Sequence, residues 1–434
     1  MQTTTIDAKS MAPAPAQGSS SAPHIVIFEP EATGHQMDFV RYLLDGIDTG
    51  IPRARVTLLT TQASAAHANC VRLVSTHASL LRIRVIPDMR DSSMLRTLIG
   101  RFYARQWQTG SQLKRGLRAL AAEEAIDFVL IPHLESVGLP TLALRPHLLL
   151  GRRWATISVG IRFHHRQAGI LGPAGWRDLA QRICFHMLLH RADLVCFGAV
   201  NPYLAQTVRH PKIAWCPEPA PLFVPADPGE ARRFYGLRPD TLVILVFGFI
   251  DRRKCVGPLL DAIASLDESH DITVLLAGTQ HAGHMQSVLC SPAAQELRRR
   301  GRLVEANRFI MSGRDIDPMN VADIVWVFYD AGFVFTGNVL ARAARAGRAV
   351  IARNTGVIGR LVNDSGCGLV LSSEAPDIIA EAVLELARSP EERALMGMRG
   401  KAAFADHSPE AFAAPIVAKI AETLPAESSR EKCD

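Results

Sequence analysis

Residues 245–260 read LVFGFIDRRKCVGPLL. An apolar run stops at Gly248, three cations follow at Arg252, Arg253 and Lys254, and a helical pattern begins. Such a junction reads either as a solvated basic turn or as a site for an anion. The second reading follows from the free N–H groups and the dipole of a helix N-terminus, both of which favour negative charge. The chain has seven lysines among its 48 Lys and Arg. A lysine beside two arginines offers a compact point charge suited to a phosphate oxygen.

The run before this junction belongs to a longer rhythm. LVILVFG (242–248), ITVLLAG (272–278), RLVEANR (302–308), DIVWVFY (323–329), AVIAR (349–353) and GLVLS (368–372) are short β-rich runs separated by helical patterns. HIVIFEP (24–30), RVTLLT (55–60), RIRVIP (82–87), FVLIPH (128–133), ATISVG (155–160) and ADLVCFGA (192–199) form an earlier series. These runs are largely continuous rather than alternating, as expected of parallel strands covered on both faces. Two successive strand–helix series predict two doubly wound α/β domains. The expected division is a disordered tail at 1–22, a first domain at 23–209 and a proline-rich linker at 210–230. A second domain at 231–404 and a C-terminal helix and tail at 405–434 complete it. Ligands of such sheets bind beyond the carboxyl ends of the strands, so the expected site is the cleft between the domains.

Composition narrows the function. At 434 residues, with 48% hydrophobic and 21% charged residues, the chain is ordinary for a globular protein with two or three domains. The N-terminal segment has no apolar stretch resembling a signal peptide, and no run is long enough to cross a bilayer. Eight scattered cysteines form no CxxC pair and no metal spacing, which fits a reducing cytoplasm without structural metal. The net charge of +6 is uneven: residues 92–192 hold fourteen Lys/Arg against five Asp/Glu. That predicts an anionic partner, and no nucleic-acid-binding signature accompanies it. Leu95, Leu98, Ile99 and Phe102 recur at helical spacing among Arg96, Arg101 and Arg105, in a stretch 92–122 free of acids. This segment reads as a membrane-surface helix or as a domain helix facing its own core.

A second junction lies in FVFTGNVLARAARAGRAVIARNTGVIGRLV (333–362). Thr336, Gly337 and Asn338 precede a helix, where a small residue and a glycine let backbone N–H groups approach a diphosphate; ordinary capping is the other reading. His133 ends the strand LIPH and reads as a cleft residue or as a structural histidine, Arg162, His164 and His165 follow the end of another strand, and Glu218 in CPEP reads as facing the cleft from the linker or, the preferred reading, as a proline-flanked surface residue. The two histidines at 164 and 165 lack a third ligand at metal spacing.

Taken together, the second half resembles the donor domain of GT-B glycosyltransferases, in particular the family-four group that uses nucleotide sugars. GFIDRRKCV resembles that group's Gly-Arg-x4-Lys-Gly segment, with Gly248 on the glycine and Lys254 on the phosphate-binding lysine. The 333–362 stretch resembles the donor loop, helix and strand, with Gly347 on the glycine after the helix. It is closer to a subgroup with a Ser-Gly-x-Leu loop. GHQMDFVRYL, FVLIPH and TISVGIRFHHR match the rhythm of the acceptor domain.

The resemblance implies donor binding by Gly248, Arg252, Arg253, Lys254, Thr336, Gly337, Asn338, Val339 and Leu340. It implies catalytic roles for Lys254 and for His133 beside the transferred sugar, and an acceptor side at Gly34, His35, Arg162 and His164. The implied reaction is metal-independent, retaining transfer from a nucleotide-diphosphate sugar to an acceptor hydroxyl, with no resident cofactor. The basic first domain adds a lipid-linked or anionic acceptor at a cytoplasmic, peripheral membrane position, in cell-surface polysaccharide or glycolipid assembly. The sequence also departs from the pattern. Phe249 stands in place of the phosphate-contacting arginine, Cys255 in place of a glycine, and Val334 and Arg342 in place of the paired glutamates. A scaffold that binds nucleotide sugar without turnover, and a nucleotide-sugar epimerase, stay open as alternatives.

Overall fold

The computed structural model describes residues 22–32, 36–87, 93–173, 175–310 and 315–424, with the backbone alone for 93–99. The expected tail and the acceptor-side residues Gly34 and His35 lie outside the described residues, apart from position 22.

The first sheet holds β1 (His24–Phe28), β2 (Arg55–Thr61), β3 (Leu81–Ile86), β4 (Phe128–Ile131), β5 (Arg153–Ser158), β6 (Leu194–Ala199) and β7 (Ile213–Trp215). Their spatial order is β3-β2-β1-β4-β5-β6-β7. The second holds β8 (Leu242–Phe247), β9 (Ile272–Ala277), β10 (Leu303–Ala306), β11 (Ile324–Val327), β12 (Ala349–Arg353) and β13 (Gly368–Leu371), in the order β10-β9-β8-β11-β12-β13. Every pairing is parallel. Parallel strands must be joined by crossovers, and helices on both faces cover each sheet, so central strands such as HIVIF are buried throughout. Each sheet has its own pair of apolar cores, one per face.

In both sheets the winding reverses beside the first strand. That places the switch point between β1 and β4 in one sheet and between β8 and β11 in the other. Crevices at such points are where doubly wound sheets bind ligands, because the loops on either side diverge to opposite faces.

One expected boundary is corrected. The three-residue strand β7 lies inside the segment read as linker, so the first sheet extends to Trp215. The C-terminal helix Pro409–Thr423 returns to the first domain and packs on the helix Gln36–Gly50. Phe412 meets the Phe39 ring at 4.4 Å, and Ile416 and Ile420 are fully buried in the same core. The chain therefore crosses twice between the domains, once at 216–220 and once before Pro409.

The domains also touch directly. The amide of Gly356 donates to Leu171 O at 2.7 Å, and Tyr203 Oη donates to Asp364 Oδ2 at 2.7 Å. Ile170, Tyr203 and Val357 form a small apolar cluster between these two bonds. Among the described residues no helix is long and apolar enough to cross a membrane.

Candidate active site at the paired switch points

After β8 the chain turns at Gly248, whose φ of 93° suits a residue without a side chain. The turn runs against Gly278, where an added Cβ would lie 1.9 Å from the Gly248 carbonyl. A short 3₁₀ turn, Arg252–Lys254, follows, capped by the Asp251 carboxylate on the Arg253 amide at 3.0 Å. This turn aims the three cations differently. Arg253 folds back onto Asp251 at 2.8 Å, while Arg252 is exposed and forms no ion pair among the described residues. Lys254 is buried, and its Nζ donates to Tyr329 Oη at 3.1 Å.

Tyr329 lies just past β11, across the switch point from Lys254. Its ring stacks on Phe333 at 4.5 Å. Its hydroxyl also faces Gly337, where an added Cβ would come within 3.8 Å of the oxygen and 3.1 Å of Ile358. Lys254, Tyr329 and Gly337 thus converge from three segments. Gly337 caps the helix Asn338–Arg345, and the amides of Gly337, Asn338 and Val339 have no intramolecular acceptor among the described residues. A cation, a hydroxyl and a set of open amides around one glycine can hold an anion of phosphate size.

The remaining donor-side candidates divide. The Leu340 side chain is buried in the core and its amide is bonded to Gly337 O, so it offers the site nothing directly. Asn338 Nδ2 donates to Pro219 O at 2.6 Å and so ties the donor helix to the linker. Thr336 is buried and lies beside the Glu218 carboxyl, whose charged form it favours. Val334 is buried, and Arg342 is held by Asp317 at 2.7 Å with its guanidinium 4.4 Å from the Phe247 ring.

The opposite wall belongs to the first sheet. His133 follows β4 and Glu29 follows β1, so this pair straddles the other switch point, with Nδ1 and Oε2 2.8 Å apart. Both side chains are buried, and His133 stacks on Phe39 at 4.7 Å. Burial pushes the Glu29 carboxyl up against the downward pull of His133. Burial alone would lower His133, and the bond to Glu29 with nearby Glu135 and Glu218 outweighs it and raises it. Glu218 joins the two walls. It is buried in the linker between Thr336 and His133, and burial pushes its carboxyl up to about 7. The expectation of a surface glutamate is corrected, since residues 216–220 are all buried.

On the acceptor side, Arg162 pairs with Asp178 at 2.8 Å beside an open pocket of about 330 Å³ lined by His165, Arg166, Ile170 and Pro173. His164 points away from it. The ring is completely buried and its Nε2 meets Asn201 Nδ2 at 3.0 Å, while Asn201 caps the helix Pro202–Thr207. Burial lowers His164 to about 3, and the ring, expected on the acceptor side, is enclosed against Asn201 instead of lining this pocket. Among the described residues no three His, Cys, Asp or Glu side chains group as metal ligands.

Residues 241–389 match the family described as glycosyl transferases group 1. The matched segment is about a third of the chain. It begins just before β8 and contains both junctions of the donor wall. A D-inositol 3-phosphate glycosyltransferase 2 of Catenulispora acidiphila is 30% identical over 279 residues, 61% of this chain and 62% of that protein. The chain thus covers less than two thirds of that relative's length. Sucrose-phosphate synthase from Thermosynechococcus elongatus superposes with a TM-score of 0.66 at 18% identity, over 91% of this chain and 97% of that one. Anabaena HepE, solved in complex with UDP and glucose, superposes with a TM-score of 0.58 at 16% identity, over 92% and 98%. These two likenesses bear on architecture: the chain has a GT-B fold, and the matched segment lies in its second half.

Proposed function

We propose that the chain is a glycosyltransferase that moves a sugar from a nucleoside diphosphate sugar to an acceptor hydroxyl. The observation that carries this reading is the convergence of Lys254 Nζ, Tyr329 Oη and Gly337 at one switch point, with His133 facing from the other. The donor diphosphate meets Lys254, the exposed Arg252 and the amides of 337–339. As the bond from the sugar's anomeric carbon to the diphosphate oxygen breaks, that oxygen keeps the electron pair. The acceptor oxygen forms the new bond, and its proton leaves with the diphosphate. Donors already aimed at the developing charge need no rearrangement, which is commonly the largest contribution to rate. His133, held by Glu29, faces the transferred sugar. Retention at the anomeric carbon, and action without a resident cofactor, are carried over from the family resemblance.

The acceptor side of the proposal is an anionic or lipid-linked molecule of cell-surface polysaccharide or glycolipid assembly. The pocket beside Arg162 and Arg166 supports an anionic acceptor, and the Catenulispora relative is named for a phosphorylated one. Work at the cytoplasmic face of an anionic membrane is supported by the helix Trp176–Leu189. Trp176, Leu179, Ile183 and Met187 recur along it and are all exposed, with Arg177 and Arg182 exposed beside them. An apolar stripe with basic flanks suits the boundary between headgroups and acyl chains. It adds to the expected stretch 92–122, where Arg101, Phe102 and Arg105 are exposed. There Leu113, Leu117 and Leu120 face the core, Gly100 breaks the helix at φ 76°, and the side chains of Leu95, Arg96, Leu98 and Ile99 lie outside the described residues.

A screen of nucleotide sugars for release of nucleoside diphosphate, with and without lipid extract, tests the proposal. Release from one donor, raised by the extract, is the expected result. Binding of a donor without release under either condition would favour a non-catalytic scaffold, and interconversion of two nucleotide sugars would favour an epimerase.

A further inference from the structure

The donor helix Asn338–Arg345 is fastened at both ends to the chain that joins the domains. At its first residue Asn338 Nδ2 donates to Pro219 O at 2.6 Å, and in its last turn Arg345 Nη1 donates to Ala220 O. The same Nη1 donates to His407 O at 3.0 Å. Pro219 and Ala220 belong to the first crossing between the domains, and His407 to the second, just before Pro409. Arg345 therefore touches both crossings at once.

The crossings are also bonded to each other. The Ala220 amide donates to His407 O at 3.0 Å, and His407 Nδ1 donates to Glu218 O at 3.1 Å. His407 is buried, its ring 4.5 Å from that of Phe404. A cation in the last turn of a helix is common, because it offsets the negative end of the helix dipole. That accounts for a charge at 345 and leaves its reach unexplained. Among the described residues, the guanidinium spends its bonds on two other segments and not on carbonyls of its own helix. The direct contacts between the domains, at Gly356 and at Asp364, use the helix Gly356–Ser365 and do not involve the donor helix.

We propose that Arg345 is a positioning residue for sugar transfer: by holding the donor helix to both crossings, it sets the angle at which the open amides of 337–339 face His133 of the first domain. The assignment rests on the sugar-transfer reading above. Arg345 lies about 10 Å along the helix axis from Asn338, at 1.5 Å per residue, so it acts through the helix and not on the donor. The diphosphate sits on one domain and the groups that meet its sugar on the other. A turn of either domain about the crossings must carry the donor helix with it or break the bonds of Arg345. Holding reacting groups in register is worth much of a rate, and a displacement of an ångström forfeits it.

The test compares wild type, Arg345→Ala and Arg345→Lys by three measurements. These are calorimetry with UDP and GDP, small-angle scattering of the free proteins, and release of nucleoside diphosphate from UDP-glucose, UDP-N-acetylglucosamine or GDP-mannose with lipid extract. With the donor that wild type uses, kcat in Arg345→Ala should fall about 10- to 100-fold, the scale of a small misplacement far from the chemistry. Affinity for UDP and GDP should stay within about twofold, as for groups that lie apart and share no partner. The scattering curve should show a broader spread of domain separations. Lysine keeps the charge without the planar fork, so Arg345→Lys should recover part of both properties. Unchanged kcat or an unchanged scattering curve in Arg345→Ala would overturn the assignment, as would a loss of nucleotide affinity as large as the loss of kcat. Should Arg345→Ala fail to fold, Arg345→Lys decides: slower release at unchanged nucleotide affinity supports the assignment, and release at the full rate overturns it. If wild type releases diphosphate from none of the donors, the transfer reading itself falls and takes this assignment with it.

Discussion

Burial keeps the Glu218 carboxyl protonated up to about pH 7, so above that pH its charge forms in a site with little water. The consequence for stability has a definite sign. The folded protein holds this proton from the ordinary carboxyl range near 4.5 up to about 7, whereas the unfolded chain has released it. The stability involved is present below pH 4.5 and is lost as pH rises toward 7. The displacement corresponds to about 3 kcal/mol. Glu218→Gln should therefore unfold at a higher temperature than wild type at pH 8, and the gap should close at pH 4.5; thermal melts at the two pH values check this. A variant less stable than wild type at pH 8 would mean that the carboxylate is held by bonds stronger than its burial penalty. At this scale legibility varied with position. Lys254 and Gly337 could be read because strand–glycine–helix junctions are local. Tyr329 and Glu29 were missed because they gain meaning from strand order, which places them opposite Lys254 and His133. Glu218 was misread because flanking prolines signal an extended chain and say nothing of what covers it.

The donor loop and helix act as one element. Gly337 sits where the Tyr329 hydroxyl and Ile358 approach, and the proposed diphosphate site borders it. Gly337→Val should crowd Tyr329, block close approach to the amides, and lower turnover at least 100-fold by the scale of a lost pair of charge-assisted bonds. The backbone here has φ −158°, which valine adopts freely, so the melting temperature should change little. Normal transfer by this variant would leave the loop as a helix cap only. All twelve strands expected from apolar runs are present within a residue or two, because burial on both faces demands continuous apolar sequence. The thirteenth, Ile213–Trp215, escaped because three residues among prolines carry no pattern. The return of Pro409–Thr423 to the first domain was equally hidden. Its apolar stripe says that the helix packs, and only the fold says against what.

On the scale of the whole molecule, the first domain carries the excess positive charge and the exposed stripe on Trp176–Leu189, while the second carries the donor wall. A nucleotide sugar from solution and an acceptor at a surface would thus meet across the cleft. Replacing Trp176 and Leu179 together with Ser should weaken binding to anionic vesicles by about 1.5 kcal/mol or more per side chain. Binding by wild type should fall as salt rises. Both side chains are more than half exposed, so folding and nucleotide affinity should survive the change. Sedimentation with vesicles decides the point, and wild type that stays in the supernatant at low salt would contradict it.

The central claim concerns the place of the donor diphosphate, and calorimetric titration of UDP and GDP into wild type and Lys254→Ala tests it most directly. Lys254 Nζ is buried against Tyr329 Oη at 3.1 Å, and that hydroxyl faces Gly337 of the donor loop. Its loss should weaken the better-bound nucleotide by about 1.5–3 kcal/mol, the scale of a hydrogen bond to a charged group, while the variant stays folded. Equal affinity in the two proteins would place the diphosphate elsewhere and return residues 252–254 to a solvated turn.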